Sequence, residues 1–220
     1  MVAMSYQDVV DRISAAASQA GRSESEITLI AVSKLKSVLE ILEVYQKGHR
    51  DFGENRANEM AGKAPELPDD IRWHFVGSLQ SNKARLVRPI THLLHSMDRD
   101  SLASAWTKGP GLPPTVLVQV NVGSEPQKSG VEPGEVEGFV DQLVARGMNV
   151  AGLMAIPPVP ELSEQSREYF RALRQLRDQV RRQHPGVIEL SMGMTDDFEV
   201  AIAEGASMIR VGRAIFGPRT

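Results

Sequence analysis

The chain has 220 residues, 41% of them hydrophobic and 24% charged, with a formal net charge of −3. A mildly acidic balance argues against nucleic acid as the main partner, because phosphate backbones are bound through basic surfaces. The absence of cysteine excludes disulfides, thiolate metal sites and cysteine nucleophiles.

A helix is predicted over Tyr6–Ala20, ending at Gly21. Met1 to Ser14 carries Asp8 and Asp11 and no basic leading segment, so it does not read as a secretory signal. No apolar run approaches the ~18 residues a membrane helix needs. The expectation is a cytoplasmic, soluble protein that does not associate with membranes.

Short apolar runs then alternate with stretches of helical periodicity. The runs are Ile27–Ser33, Arg50–Gly53, Arg72–Val76, His92–Ser96, Thr115–Val122, Val150–Ala155, Val187–Ser191 and Met208–Val211. Several are almost continuously apolar, as strands buried on both faces of a parallel sheet should be. Between them, helices are predicted over Val38–Lys47, Val136–Arg146, Ser163–His184 and Asp196–Glu204. Eight strands alternating with helices point to a parallel α/β fold, and eight is the number that closes a (β/α)₈ barrel. Such barrels span roughly 200 to 400 residues, so 220 suffices for one. The Pro-rich pieces Pro110–Pro114 and Pro157–Pro160 are loop-sized. The expectation is a single barrel domain over residues 1–220 with an extra N-terminal helix.

In such a barrel, functional groups sit at the C-terminal ends of the strands, and phosphate often binds after the last two. Lys34 ends the first strand. Partial desolvation there would favour the neutral amine that attacks an aldehyde. Lys36 is its rival, since strand alternation points both the same way. Ser191-Met-Gly-Met-Thr195 opens a helix, and Arg210-Val-Gly-Arg213 is a second glycine-containing turn. Both offer backbone N–H groups to an anion, Thr195 adds a hydroxyl, and Gly212 permits close approach. Either turn alone is equally an ordinary strand-to-helix connection; together, in these positions, they favour a phosphate site. Arg210 lies on the strand itself and needs a partner, either a heteroaromatic ring nitrogen or a neighbouring barrel carboxylate. Asn55 and His74 read as polar groups of the barrel mouth, with His74 pointing opposite to Trp73 and Phe75. Asp196 and Asp197 read as charges at a helix N-terminus.

An ordered set of motifs runs through the chain: Ala31-Val-Ser-Lys34, Phe52-Gly-Glu-Asn55, Trp73-His-Phe, Gly77 with Leu79-Gln-Ser-Asn-Lys83, Val118-Gln-Val-Asn121, Lys128-Ser-Gly130, Gly152-Leu-Met154, Leu190-Ser-Met-Gly-Met, and Arg210-Val-Gly with Ile215-Phe-Gly217. With these motifs the chain resembles the pyridoxal-phosphate homeostasis protein family, whose barrel is similar to the N-terminal domain of alanine racemase. The resemblance implies a pyridoxal 5′-phosphate Schiff base on Lys34 and a contact from Arg210 to the pyridine nitrogen. It assigns phosphate to Thr195 and the backbone around Gly212 and Arg213, with Asn55, His74, Ser191 and Met192 lining the pocket. The family usually reads Val-Ser-Lys-Thr-Lys-Pro, whereas this chain has Leu35 and Ser37; Ser78 and Thr195 stand where the family commonly has His and Ser.

The function implied is a cofactor carrier acting in vitamin B6 and amino-acid homeostasis without strong turnover, handing its cofactor to pyridoxal-phosphate-dependent apo-enzymes and working as a monomer or weak dimer. The alternative is a pyridoxal-phosphate-dependent amino-acid racemase. Racemization needs a second base opposite Lys34. In alanine racemases that tyrosine comes from a C-terminal domain, which this chain, ending at Thr220, is read as lacking. Tyr6, Tyr45 and Tyr169 all fall on predicted helices. The basic run Arg167, Arg171 and Arg174 reads as a solvated helix face, or as a weak polyanion surface.

Overall fold

The computed structural model describes residues 5–123, 129–158 and 161–217. Lys128 of the Lys128-Ser-Gly130 motif lies outside these, as do Val159 and Pro160. Eight strands form one closed barrel, each parallel to its neighbours in chain order: β1 Thr28–Val32, β2 Asp51–Glu54, β3 Arg72–Phe75, β4 Thr91–Met97, β5 Thr115–Val120, β6 Val150–Ala155, β7 Glu189–Ser191 and β8 Met208–Val211. β8 closes on β1 with Ile30 opposite Arg210, and β1 meets β2 with Val32 opposite Gly53. The (β/α)₈ reading of the sequence is the architecture found.

Helices α1 Tyr6–Gln19, α2 Val38–Tyr45, α3 Ala57–Lys63, α4 Ala84–Val87, α5 Asp100–Trp106, α6 Val136–Ala145, α7 Arg167–Val180, α8 Phe198–Ala203 and α9 Arg213–Phe216 follow the strands. The additional helix α1 lies against α8 and α9, where Arg12 Nε donates to Glu199 at 2.7 Å. α3, α4, α5 and α9 have no counterpart in the sequence reading. Each has seven residues or fewer, too short for an amphipathic period to declare itself. α8 starts at Phe198 rather than Asp196, because Asp197 is used to hold the preceding turn. Among the described residues, no helix is long and apolar enough to cross a membrane.

Strand alternation divides the apolar residues into two sets. Phe52, Trp73, Phe75, Leu94, Val116, Val118 and Leu153 face outward into one large core with Ile41, Leu102, Val140 and Phe170 from the helices. Fully burying a side chain of this size stabilises the fold by about 1.5–3 kcal/mol. Leu93, Leu117 and Met154 form a smaller cluster with Met208, inside the barrel. The interior also holds Ile30 beside Gly53, and beyond these a set of buried polar side chains, His74, His95, Ser191 and Arg210.

The basic run on α7 stays partly exposed but has a partner that the sequence reading did not name. Arg167, Arg171 and Arg174 converge on the buried carboxylate of Glu204, at 3.0, 3.0 and 3.3 Å. The helical spacing was read correctly; the acid that gathers the arginines comes from the end of another helix.

Candidate functional site

At the C-terminal mouth, three adjacent strands, β8, β1 and β2, bring the predicted residues side by side. β1 ends at Val32, which pairs with Gly53 of β2, and Lys34 and Asn55 each follow two residues later. On its other side the Gly212 turn presses close: a Cβ built on Gly212 would sit 3.0 Å from the Val32 carbonyl oxygen. Arg210 lies one step below on β8, opposite Ile30.

The loop after Lys34 is held from behind. Ser33 is fully buried, and its hydroxyl donates to Glu54 Oε1 at 2.8 Å. Lys63 Nζ donates to the Ser33 carbonyl at 2.9 Å and to Glu54 and Glu59 at 2.8 and 2.6 Å. Glu59 also accepts from the Leu35 amide. Burial pushes the Glu54 carboxyl up, and the hydrogen bond from Lys63 offsets part of that rise. Leu35 takes a left-handed φ of 63°, and the Lys36 amide donates to the Ser33 carbonyl at 3.0 Å. The chain therefore reverses immediately after Lys34, so strand alternation does not carry on to Lys36. Lys36 Nζ instead donates to the Phe216 carbonyl at 2.7 Å and lies 3.2 Å from Glu40. Ser33 and Glu54 stand at strand ends in the sequence reading but carry no role there, and Lys63 is absent from it, since Glu54 meets its two partners across nine and twenty-one residues.

Two turns form the candidate anion cradle. Gly193 has a φ of 91°, which favours glycine, and a Cβ there would meet Ala201 of α8 at 2.5 Å. The Met194 amide donates to Asp197 Oδ1 at 2.7 Å, and Ser166 Oγ donates to Asp197 Oδ2 at 2.8 Å, so Asp197 braces the turn. Among the described residues, neither the amide nor the hydroxyl of Thr195 has a hydrogen-bond partner. The second turn opens α9 at Gly212, where first-turn amides have no acceptor within the helix. Arg213 pairs with Asp196 and ties the two turns together, leaving its backbone, not its side chain, for an anion.

Arg210 is buried without a carboxylate in contact. It donates to Ser191 Oγ at 2.6 Å and to the Ala155 carbonyl at 2.9 Å. Burial lowers its guanidinium to about 10. Of the two partners open to it in the sequence, the barrel carboxylate is not the one found.

Two expected pocket residues are placed differently. Met192 is fully buried in the large outer core, because the inward position falls to Ser191 and alternation turns the next side chain out. His74 does point inward, opposite to Trp73 and Phe75, but its ring is held at 3.0 Å by both Asp51 and His95 inside the barrel. It does not line the mouth. Asn55 stands at the mouth, and its buried Oδ1 has no partner.

This set fits a phosphorylated pyridine aldehyde: an amine at a strand end, an anion cradle beside it, and a buried cation one residue below. The family model for the alanine racemase N-terminal domain matches residues 8–220. The pyridoxal phosphate homeostasis protein of Aquifex aeolicus is 43% identical over 96% of this chain and 95% of its own length. A protein from Bifidobacterium adolescentis superposes with a TM-score of 0.90 at 34% identity, covering 96% of this chain and 92% of the other. PipY of Synechococcus elongatus with PLP bound gives a TM-score of 0.79, also at 34% identity, covering 93% and 100%. On the strength of these matches along almost its whole length, the chain belongs to the pyridoxal phosphate homeostasis protein family, built on the alanine racemase N-terminal domain.

Proposed function

We propose that this chain, as one barrel domain, holds pyridoxal 5′-phosphate at its C-terminal mouth through a Schiff base on Lys34. It keeps the aldehyde masked and serves vitamin B6 and amino-acid homeostasis in the cytoplasm, as a monomer or weak dimer, with pyridoxal-phosphate-dependent apo-enzymes as recipients. The observation that carries this reading is the pairing of β1 with β8, which sets Arg210 opposite Ile30 and the Gly212 turn against Val32, two residues before Lys34. The PLP-bound relative supports it.

Pyridoxal phosphate supplies an aldehyde that condenses with an amine and a pyridine ring that can accept electrons. Lys34 Nζ would hold that aldehyde as a Schiff base, with loss of one water. Thr195 and the amides at Gly212 and Arg213 receive the phosphate. Arg210 donates to the ring nitrogen and, because it retains its proton, leaves that nitrogen unprotonated. An unprotonated ring is a poor electron sink, which suits storage better than carbanion chemistry.

Two outcomes are expected. The purified protein should show a visible imine band, and borohydride reduction followed by peptide mass spectrometry should place the adduct on Lys34; an adduct on Lys36 alone would overturn the assignment. Thr195→Ala should weaken binding by about 0.5–1.5 kcal/mol, rising to ~3 kcal/mol if the bond is charge-assisted. Equilibrium titration showing unchanged affinity would mean that Thr195 does not touch the phosphate.

A further inference from the structure

One continuous hydrogen-bonded line crosses the barrel interior. It begins at Arg210, which donates to Ser191 Oγ at 2.6 Å. Ser191 Oγ lies 2.8 Å from His95 Nδ1, His95 Nε2 lies 3.0 Å from His74 Nδ1, and His74 Nε2 lies 3.0 Å from Asp51 Oδ1. Arg72 pairs with Asp51 at the far end, its Nε 2.7 Å from Oδ1. The line runs from β8 through β7, β4 and β3 to β2, and all five of its members are buried.

The two ends dictate where the protons sit. An arginine only donates, and an ionised carboxylate only accepts. Ser191 Oγ, accepting a hydrogen bond from Arg210, donates one to His95 Nδ1. His95 then carries its hydrogen on Nε2 and donates to His74 Nδ1. His74 likewise carries its hydrogen on Nε2 and donates to Asp51. Every donor and acceptor along the line is used, with both imidazoles neutral. The opposite arrangement, with His74 charged, makes Ser191 accept from both Arg210 and His95, and its own hydrogen is left without an acceptor in the line. Such a buried orphan is costly.

The surrounding charges agree. Burial holds His95 well below its usual range, and the Arg210 guanidinium pushes the same way. Burial alone would raise Asp51, but hydrogen bonds from His74 and Arg72 outweigh it and keep the carboxylate ionised. The other imidazoles near His74 are His92, its ring 5.5 Å away, and His49, and burial pushes both down. Each dipole in the line turns its negative end toward Arg210 and its positive end toward Asp51.

We propose that His95, backed by His74 and Asp51, is a positioning residue for the cofactor contact of Arg210. By binding the Ser191 hydrogen it fixes an oxygen lone pair toward the guanidinium, and so holds that cation in one orientation beneath the mouth. The proposal rests on the reading above that Arg210 meets the pyridine nitrogen; the proton arrangement does not.

The test has two arms. In the protein without added ligand, ¹⁵N-histidine NMR at neutral pH should show His74 and His95 as neutral Nε2–H tautomers. An Nδ1–H tautomer or an imidazolium at either ring would overturn the relay. In the pyridoxal-phosphate-loaded protein, His95→Leu should release the ligand about tenfold faster, the loss of roughly one buried hydrogen bond. It should also alter the pH profile of the imine band, and His95→Gln, which keeps a donor and an acceptor, should restore most of both. A His95→Leu protein that melts earlier but keeps the wild-type release rate and profile would reduce His95 to packing and overturn the proposal. Wild-type protein that takes up no pyridoxal phosphate would sink the binding reading, and the positioning role with it, while the ring shifts would still decide the proton arrangement.

Discussion

Replacing Lys34 with alanine should abolish the borohydride-trapped adduct, whereas Lys36→Ala should leave it in place. The two amines are two residues apart, and in an extended strand they would share a face. The reversal at Leu35 separates them. Lys36 is committed to the Phe216 carbonyl and Glu40, on the side of α2 and α9. Lys34 follows β1 where that strand end meets the Gly212 turn, on a backbone clamped from behind by Lys63 and Glu54. Without its covalent anchor, the Lys34→Ala protein would keep only the phosphate and ring contacts. The expected fall in affinity is roughly a hundredfold or more, each factor of ten being about 1.4 kcal/mol. Absorbance titration and mass spectrometry of both variants check this. A trapped adduct that survives Lys34→Ala and vanishes in Lys36→Ala would reverse the assignment.

The second large expectation concerns turnover. Loaded protein incubated with L-alanine or L-serine in deuterated water should exchange α-protons far more slowly than a racemase does. Racemization requires a base on each face of the reacting carbon, and the three tyrosines of this chain are all committed elsewhere. Tyr6 faces His49, Tyr45 donates to Asp70 at 2.8 Å, and Tyr169 lies on the outer helix α7. The one histidine expected at the mouth, His74, is enclosed in the barrel between Asp51 and His95. Losing one of two acid–base groups costs roughly two to four orders of magnitude in rate. A kcat of about 1 s⁻¹ or more, removed by Lys34→Ala, would instead make the protein an enzyme.

Much of this architecture was legible in the residues. The eight apolar runs fall on the eight strands because a strand buried on both faces must be apolar along its length, a condition that each run states locally. Lys34, Thr195, Arg210 and Gly212 could be singled out because a barrel puts chemistry where strands end, and strand ends can be read from a few consecutive residues. The inward turn of His74, opposite to Trp73 and Phe75, followed from the period of two.

Which residues meet was decided only by tertiary structure. Ser191 touches His95 across ninety-six positions, and His74 reaches Asp51 across twenty-three. Alternation tells which face a side chain takes, but not its level: that depends on the stagger between neighbouring strands when the sheet closes. The register between β3 and β4 shifts at Trp73 and His74, a local irregularity that no periodic pattern announces. Met192 read as a pocket residue, but with Ser191 turned inward it falls in the outer core, and the acid that the α7 arginines meet, Glu204, comes from the end of another helix. A sequence specifies the chemistry available at each position, whereas pairing buried polar groups is a matter of distance, set here by how eight strands slide past one another as the barrel closes.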